Sequence, residues 1–454
     1  MELAYYALIG VASFIAVKDF RKGIYLALVV DLLRDIVRKS SPGESVLITL
    51  AGAAVWGAIF VGVYLDRPGL TQQAYRLYPR LKKSITMLLV AVLFAGLLSA
   101  IQYRSGYKIA VLGAISYVMP LFGLAIGFAF PRDRTEITRL LQFYVVINAI
   151  FLIGVPLEYF HVEVSGLGGM RGMDWIRYRQ GYIVDLMSGF YRSPDIMGLH
   201  AANTLMFCLS LLVLPKPKNR WLWLGLAVWA CICLILGGRR KMIGMPFVFL
   251  ASWFLVGGRV RVVAQSRGLI FAGVVAVVIA ASLFVISRYD ETNNYSSYAS
   301  TLPNEGLERS YSVIGASLTT LRQSGIIGAG LGTATQGSYY VKVKSVRGWQ
   351  EDGLSRLFLE FGLFGVILLA TALWHFVRSF KNCFALTRGD RQVVALQVVL
   401  LACVLANGAS FLISHQQFSG DPGSAIIVLM LLGMIFGAYR LQRRTPPAPL
   451  RRLQ

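Results

Sequence analysis

Thirteen apolar runs separated by short polar intervals set the rhythm of the chain. They fall at 3–17, 22–35, 45–65, 85–101, 109–130, 138–160, 196–215, 221–237, 242–257, 268–287, 354–378, 392–414 and 424–440. A run of this kind crosses a hydrocarbon core ~30 Å thick as a helix, the form in which a single segment satisfies its own backbone in lipid. The pattern predicts an all-α polytopic membrane protein, one integral domain over 1–454, with about 12–13 transmembrane helices. The lower count applies if the second run, which carries Asp31, Arg34 and Asp35, lies along the interface. The first run follows only Met1-Glu2-Leu3, with no basic leader and no small-residue cleavage site after it, and reads as a retained helix.

The connections differ in kind. Segments 67–84, 131–137, 216–220, 258–267 and 379–391, with the tail after Arg440, are short and basic, which predicts that they face the cytoplasm. The alternate connections 161–195 and 288–353 are long and mix acids with bases, and 415–423 is short and nearly uncharged; these face away. Gly237-Gly238-Arg239-Arg240-Lys241 joins two barely spanning runs on that same far side, against the usual orientation of cations. Such a triple cation needs a local reason: either an anionic substrate at the membrane surface, or snorkelling to lipid headgroups.

Polar chemistry is concentrated in the two long loops. In 161–195, Trp175, Tyr178, Tyr182, Phe190 and Tyr191 alternate with Arg171, Arg177, Arg179 and Arg192, a mixture suited to sugar stacking and phosphate pairing, or to interfacial anchoring. It closes at Arg192-Ser193-Pro194-Asp195, which presents an arginine beside a helix N-terminus. In 288–353, Leu307, Tyr311, Ile314 and Leu318 form one stripe of an amphipathic helix expected over 307–321 and lying over the membrane domain, with Arg309 on it. The run Gly328-Ala329-Gly330-Leu331-Gly332 lacks the Lys-Ser/Thr of a nucleotide loop. The loop re-enters at Trp349-Gln350-Glu351-Asp352, and Arg356 and Glu360 follow at i, i+4, spaced for an internal ion pair. Glu351 and Asp352 read as a general base, as helix caps, or as ligands of a divalent cation that no further carboxylate cluster supports.

Bulk composition adds little to this. The hydrophobic set makes up 56% of the 454 residues, and the net charge of +23 sits in short loops, so it reflects orientation and not nucleic-acid binding. Cys208, Cys231, Cys233, Cys383 and Cys403 show no ligand spacing, so neither a disulfide framework nor a zinc site is expected.

From about Gly189 onward the order and common side of these motifs resemble the O-antigen ligase and Wzy-type polysaccharide polymerase superfamily. The matching pieces are Gly189-Phe190-Tyr191-Arg192-Ser193-Pro194-Asp195, Gly237-Gly238-Arg239-Arg240-Lys241, Arg309, Gly328-Ala329-Gly330-Leu331-Gly332 and Glu360-Phe361-Gly362-Leu363-Phe364-Gly365. The resemblance implies a GT-C-like, metal-independent glycosyltransferase of the bacterial inner membrane, without cofactor, working on undecaprenyl-diphosphate-linked oligosaccharide at the periplasmic face beside a chain-length regulator or export machinery. Arg240 and Arg309, with Arg192 and Arg239, would clamp the diphosphate; Arg179, Tyr191, Trp349 and Arg356 would bind the rest of the substrate; Glu351 or Asp352 would serve as base. Ligases of this type carry His-Asn where this chain has Glu351-Asp352, and His161, His200, His375 and His415 lie elsewhere, which favours a polymerase-like member. A ligase with another acceptor, and a flippase for the same lipid-linked glycan, are the alternatives.

Overall fold

The computed structural model describes residues 1–44, 46–170, 175–179, 182–214, 219–260, 265–289, 294–295, 302–335, 350–419 and 421–441. At 44, 46, 178, 179, 182, 265–272, 302–310 and 419 it describes the backbone alone.

Every apolar run becomes helix. The elements are α1 (Glu2–Lys18), α2 (Phe20–Lys39), α3 (Val46–Asp66), α4 (Leu70–Leu77), α5 (Pro79–Gln102), α6 (Gly106–Val118), α7 (Pro120–Ala129), α8 (Arg134–Phe151) and α9 (Gly154–Tyr159). After the hairpin β1 (Ile176–Arg179) and β2 (Tyr182–Asp185) come α10 (Pro194–Val213), α11 (Arg220–Leu236), α12 (Arg240–Arg259), α13 (Gln265–Tyr289), α14 (Leu302–Ser324), α15 (Gly353–Thr387), α16 (Arg391–Ile413) and α17 (Pro422–Gly437). Among the described residues nine helices are long and apolar enough to cross a membrane, and 220–236 and 273–289 are shorter apolar helices beside them. The chain is an all-α multi-pass membrane protein.

Polar residues set the helix starts. Asp133 caps α8 by accepting from the Glu136 N–H at 2.8 Å, while Glu136 reaches back to the Arg132 N–H at 2.9 Å. Asp19, Ser193, Asp352 and Asp390 cap α2, α10, α15 and α16 in the same way. The centre of the bundle is α10, 89% buried along its apolar window, whereas α5 is 28% buried and faces outward.

Side-chain contacts gather the helix ends into two groups. One end holds Arg21 with Asp66 and Glu136, Arg134 with Asp390, and Arg440 on the Phe128 carbonyl. The other holds Lys39 on the Gly189 carbonyl, Tyr103 on the Ala329 carbonyl, and the neighbourhoods of Arg239 and Glu351. In the second apolar run, α2 packs against both α1 and α3 and buries Arg34 and Asp35, each 2% exposed.

The helix of the large loop extends over 302–324 but does not lie as its apolar stripe suggested. Ser317 and Thr320 form its buried face, and Tyr311, Ile314 and Leu318 are exposed. Ser317 meets Asp352 and Ser355, and Ser324 donates to the Phe358 carbonyl at 3.0 Å, so α14 runs parallel to the first turns of α15. Small hydroxyl side chains allow this close approach; the bulky stripe does not.

The chain then enters the bundle as an irregular segment, 325–335. It fits where α15 is broken at Gly362, whose φ of 62° is open to glycine. The freed amides of Leu363 and Phe364 donate to the Gly325 and Ile326 carbonyls, and the Ala329 N–H donates to the Leu359 carbonyl at 2.7 Å. Non-helical backbone at this depth is stable because each end of the break finds such a partner. The glycine run is thus used for backbone packing: Leu331 N–H donates to the Ala95 carbonyl, and Ser99 Oγ to the Leu331 carbonyl at 2.8 Å.

Candidate functional site

Three chain segments meet at the end of the bundle that carries the long loops. The first is the cation turn. Gly238, with φ of 57°, passes so close to Leu186 that a Cβ would sit 2.3 Å from its side chain, and the turn delivers Arg239 in extended backbone to the start of α12. Arg239 Nη2 lies 3.1 Å from Asp195 Oδ2, and its guanidinium lies over the Trp175 ring at 5.4 Å. Lys241 Nζ lies 2.7 Å from Asp195 Oδ1 and donates to Ser414 Oγ at 2.7 Å. Asp195, in the first turn of α10, thus pairs with two of the turn's three cations, a contact that no spacing in the sequence shows because 195 and 239 are on different helices.

The second segment is the acid pair, whose members separate. Asp352 is 4% exposed and is the N-cap of α15, accepting from the Ser355 N–H at 2.6 Å and from Ser317 Oγ at 3.3 Å. Glu351 is exposed, and its charge reaches Lys241. The capping reading therefore accounts for Asp352, and Glu351 is the exposed member of the pair.

The third segment is 414–415, which sequence reasoning set aside. The His415 N–H donates to the Glu351 carbonyl at 3.3 Å, and His415 Nε2 lies 2.8 Å from the Gln350 carbonyl. A carbonyl only accepts, so Nε2 carries the proton, and Nδ1 presents its lone pair to Arg356 Nη1 at 3.5 Å. Burial, with the Arg356 charge adding to it, brings the His415 pKa down to about 3. A neutral histidine thus stands directly behind the acids. No spacing rule connects 415 to 351; only the packing of α16 on α15 does.

Other expected residues are placed differently. Arg356 pairs with Glu360, Nε to Oε1 at 3.5 Å, and donates to Thr335 Oγ1 at 3.0 Å. Tyr117 OH donates to Glu360 Oε2 at 2.6 Å. Arg356 is 2% exposed and Tyr191 is 2% exposed, the latter donating to Asn148 Oδ1 and stacked 5.1 Å from His200. Both are interior residues. Arg192 is 9% exposed; its N–H donates to Asp35 Oδ2 at 3.1 Å. Burial lowers its pKa against the raising effect of Asp35. The side chains of Arg179 and Arg309, and all of Trp349, lie outside the described residues; the backbone puts Arg179 on β1 and Arg309 on α14.

Beneath the site lies a second polar cluster, built on Asp31, Arg34 and Asp35 of the second apolar run. Arg34 meets Asp421 at 3.0 Å, Asp35 at 3.3 Å and Asp31 at 3.5 Å, and Trp56 Nε1 donates to Asp31 at 2.9 Å. Burial works to raise the pKa of Asp421, but Arg34 and Arg192 outweigh it and hold the carboxyl well below the ordinary range. These groups satisfy one another inside the bundle and join α2, α3, α10 and α17.

Beside the cation turn, a groove of about 440 Å³ runs between α10, α11, α12 and α13. It is lined by Ile243, Pro246, Phe247, Leu283 and Phe284 and begins one turn beyond Arg240. The assembly can therefore receive an anion at a cationic, partly exposed surface with an apolar groove beneath it and a carboxylate alongside.

Fold and site define a multi-pass helical membrane protein with a polar, mixed-charge centre at one end of its bundle. No family model and no curated protein matches the chain.

Proposed function

We propose that the protein is a membrane glycosyltransferase that moves a glycan from a polyprenyl diphosphate carrier onto a second lipid-linked glycan, as a cell-surface polysaccharide polymerase does. The observation that carries this reading is the exposed Glu351 near the Arg239-Arg240-Lys241 turn, its charge acting on Lys241, at an end of the bundle that also holds an apolar groove suited to a polyprenyl chain. In the proposed step an acceptor hydroxyl attacks the anomeric carbon of the donor. The bond from that carbon to the diphosphate oxygen breaks, the hydroxyl proton passes to the Glu351 carboxylate, and the diphosphate leaves with its charge against Arg240 and its neighbours. Guanidinium groups hold phosphate oxygens at any pH, which makes a divalent ion unnecessary for the leaving group. In this reading the site works at the outer face of a bacterial inner membrane, which the short basic loops on the other side support through the positive-inside rule.

The test uses the purified protein in nanodiscs with a lipid diphosphate-linked oligosaccharide and no added metal. The wild type lengthens the glycan; Glu351→Gln loses about 10²- to 10⁴-fold, the usual worth of a general base; and Arg240→Ala loses extension while keeping its helical circular dichroism. Full activity in Arg240→Ala removes the diphosphate clamp.

One observation favours a second reading, transport of the same lipid-linked glycan. The break of α15 at Gly362 beside an irregular membrane-depth segment is the kind of discontinuous helix found at transporter binding sites. Movement of a labelled lipid-linked glycan across vesicles, without any change in its length, selects that reading.

A further inference from the structure

We infer that the end of the bundle opposite the candidate site carries a binding site for an anionic phospholipid. Four guanidinium groups crowd there. Arg67 is repelled by Arg440 and Arg132, and Arg21 by Arg132 and Arg67. Their described counter-charges are Asp66, 3.7 Å from Arg21 and 3.6 Å from Arg67, and Glu136, 3.5 Å from Arg21. Two carboxylates against four arginines leave two positive charges uncompensated among the described residues. Like charges held together in this way are stabilised by a ligand that brings negative charge.

The cations do not stand on a flat surface. Arg440 donates to the Phe128 carbonyl at 2.7 Å and its guanidinium lies 4.5 Å from the centre of the Phe128 ring. Its Nη2 is buried with no hydrogen-bond partner among the described residues. Phe128 is also a wall of a groove of about 230 Å³ between α3, α4, α5 and α7. Tyr64, Thr71 and Tyr75 form its polar rim, and Leu89 and Val118 its inner end. Leu81 and Leu89, both lining residues, are two turns apart on α5, so the groove extends about 12 Å along the helix axis. Arg67 stands just before the short helix that closes the groove.

Cations beside a polar-rimmed apolar channel that starts at a membrane end match one ligand chemistry: a phosphodiester headgroup attached to an acyl chain. A soluble phosphate satisfies the cations but not the channel, and a zwitterionic lipid satisfies the channel but not the charge. A lipid with two phosphodiesters meets both uncompensated positive charges.

Native mass spectrometry of the full-length protein, released from nanodiscs of phosphatidylethanolamine with added phosphatidylglycerol or diphosphatidylglycerol, tests the inference. The wild type is expected to retain anionic lipid in preference to phosphatidylethanolamine, most strongly the doubly charged one. Arg67→Gln with Arg440→Gln is expected to lower the retained fraction at least tenfold. Ala125→Phe, which fills the groove and leaves every cation in place, is expected to lower it comparably, and glycerol phosphate is expected not to bind. Equal retention of zwitterionic lipid, unchanged retention in Ala125→Phe, or binding of glycerol phosphate as strong as that of the lipid overturns the inference. Size-exclusion profiles establish folding, and if the double arginine variant does not fold, Ala125→Phe decides alone.

Discussion

His415 and Glu351, on either side of a helix–helix contact, share a hydrogen bond from the amide of the first to the carbonyl of the second at 3.3 Å. With Nε2 held on the Gln350 carbonyl at 2.8 Å, the imidazole fastens the strand that carries the exposed carboxylate. The histidine fixes the acid's backbone, while its side chain is exposed.

That arrangement predicts a graded response to substitution. His415→Gln keeps a donor near the Gln350 carbonyl and should retain most of the proposed transfer. His415→Leu leaves that carbonyl without its imidazole donor and removes one of the contacts of Arg356, and should cost about 1–3 kcal/mol of stability. Thermal unfolding and glycan extension of the two variants, measured side by side, check the contrast.

The same histidine sets a pH dependence. Its folded pKa of about 3 lies below the ordinary value near 6.5, so between the two the unfolded chain binds a proton that the folded chain does not. Its contribution is complete above about pH 6.5 and is lost as pH falls toward 3, at up to about 1.4 kcal/mol per pH unit. Asp421 has the same sign, since its carboxyl is held below the ordinary range, but it acts only at pH below about 4. Between pH 7.5 and 5 the unfolding midpoint should therefore fall, and His415→Gln should flatten that slope. A midpoint slope unchanged in the variant would contradict the assignment.

Glu360 and Arg356 form a buried pair on one face of α15, 0% and 2% exposed. Glu360 also accepts from Tyr117, Thr335 and the Ala334 N–H, so it ties the irregular segment to α6 and α15. Removing one charge alone, as in Glu360→Leu, should cost about 3–5 kcal/mol because it strands the other. Glu360→Leu with Arg356→Met should cost less than the sum of the single changes, and a double-mutant cycle on unfolding reads the difference.

Gly362→Ala probes the break in α15. A Cβ there would lie 2.3 Å from the Gly328 nitrogen and 2.4 Å from the Ile326 carbonyl oxygen, at a φ of 62°. Backbone cannot yield as a side chain does, so the substitution should lower the unfolding midpoint and release 325–335 from α15. Hydrogen exchange at Leu363 and Phe364, whose amides donate to that segment, should rise with it.

Much of the fold was legible in the chain because helix periodicity and capping are local. The runs 196–215, 392–414 and 424–440 became helices within two or three residues of their predicted edges, and Ser193, Asp352 and Asp390 mark starts in the way short polar side chains do. The site was less legible. Tyr311, Ile314 and Leu318 gave a correct helix but the wrong packed face, since a period does not say which side finds a neighbour. Arg356 and Tyr191 looked available because loop and helix-mouth positions usually are; in the structure both are closed in by other helices.

What the sequence determined by itself was where the apolar helices lie, the alternation of short basic and long mixed loops, and the presence of cations and acids at one set of helix ends. Only the tertiary structure decided how those charges are used: Asp195 takes up Arg239 and Lys241, Asp352 caps a helix, and His415 stands behind Glu351. The physical reason is that hydrophobic period and caps act within a few residues, whereas ion pairs and tautomers depend on which helices become neighbours, a property of the whole bundle.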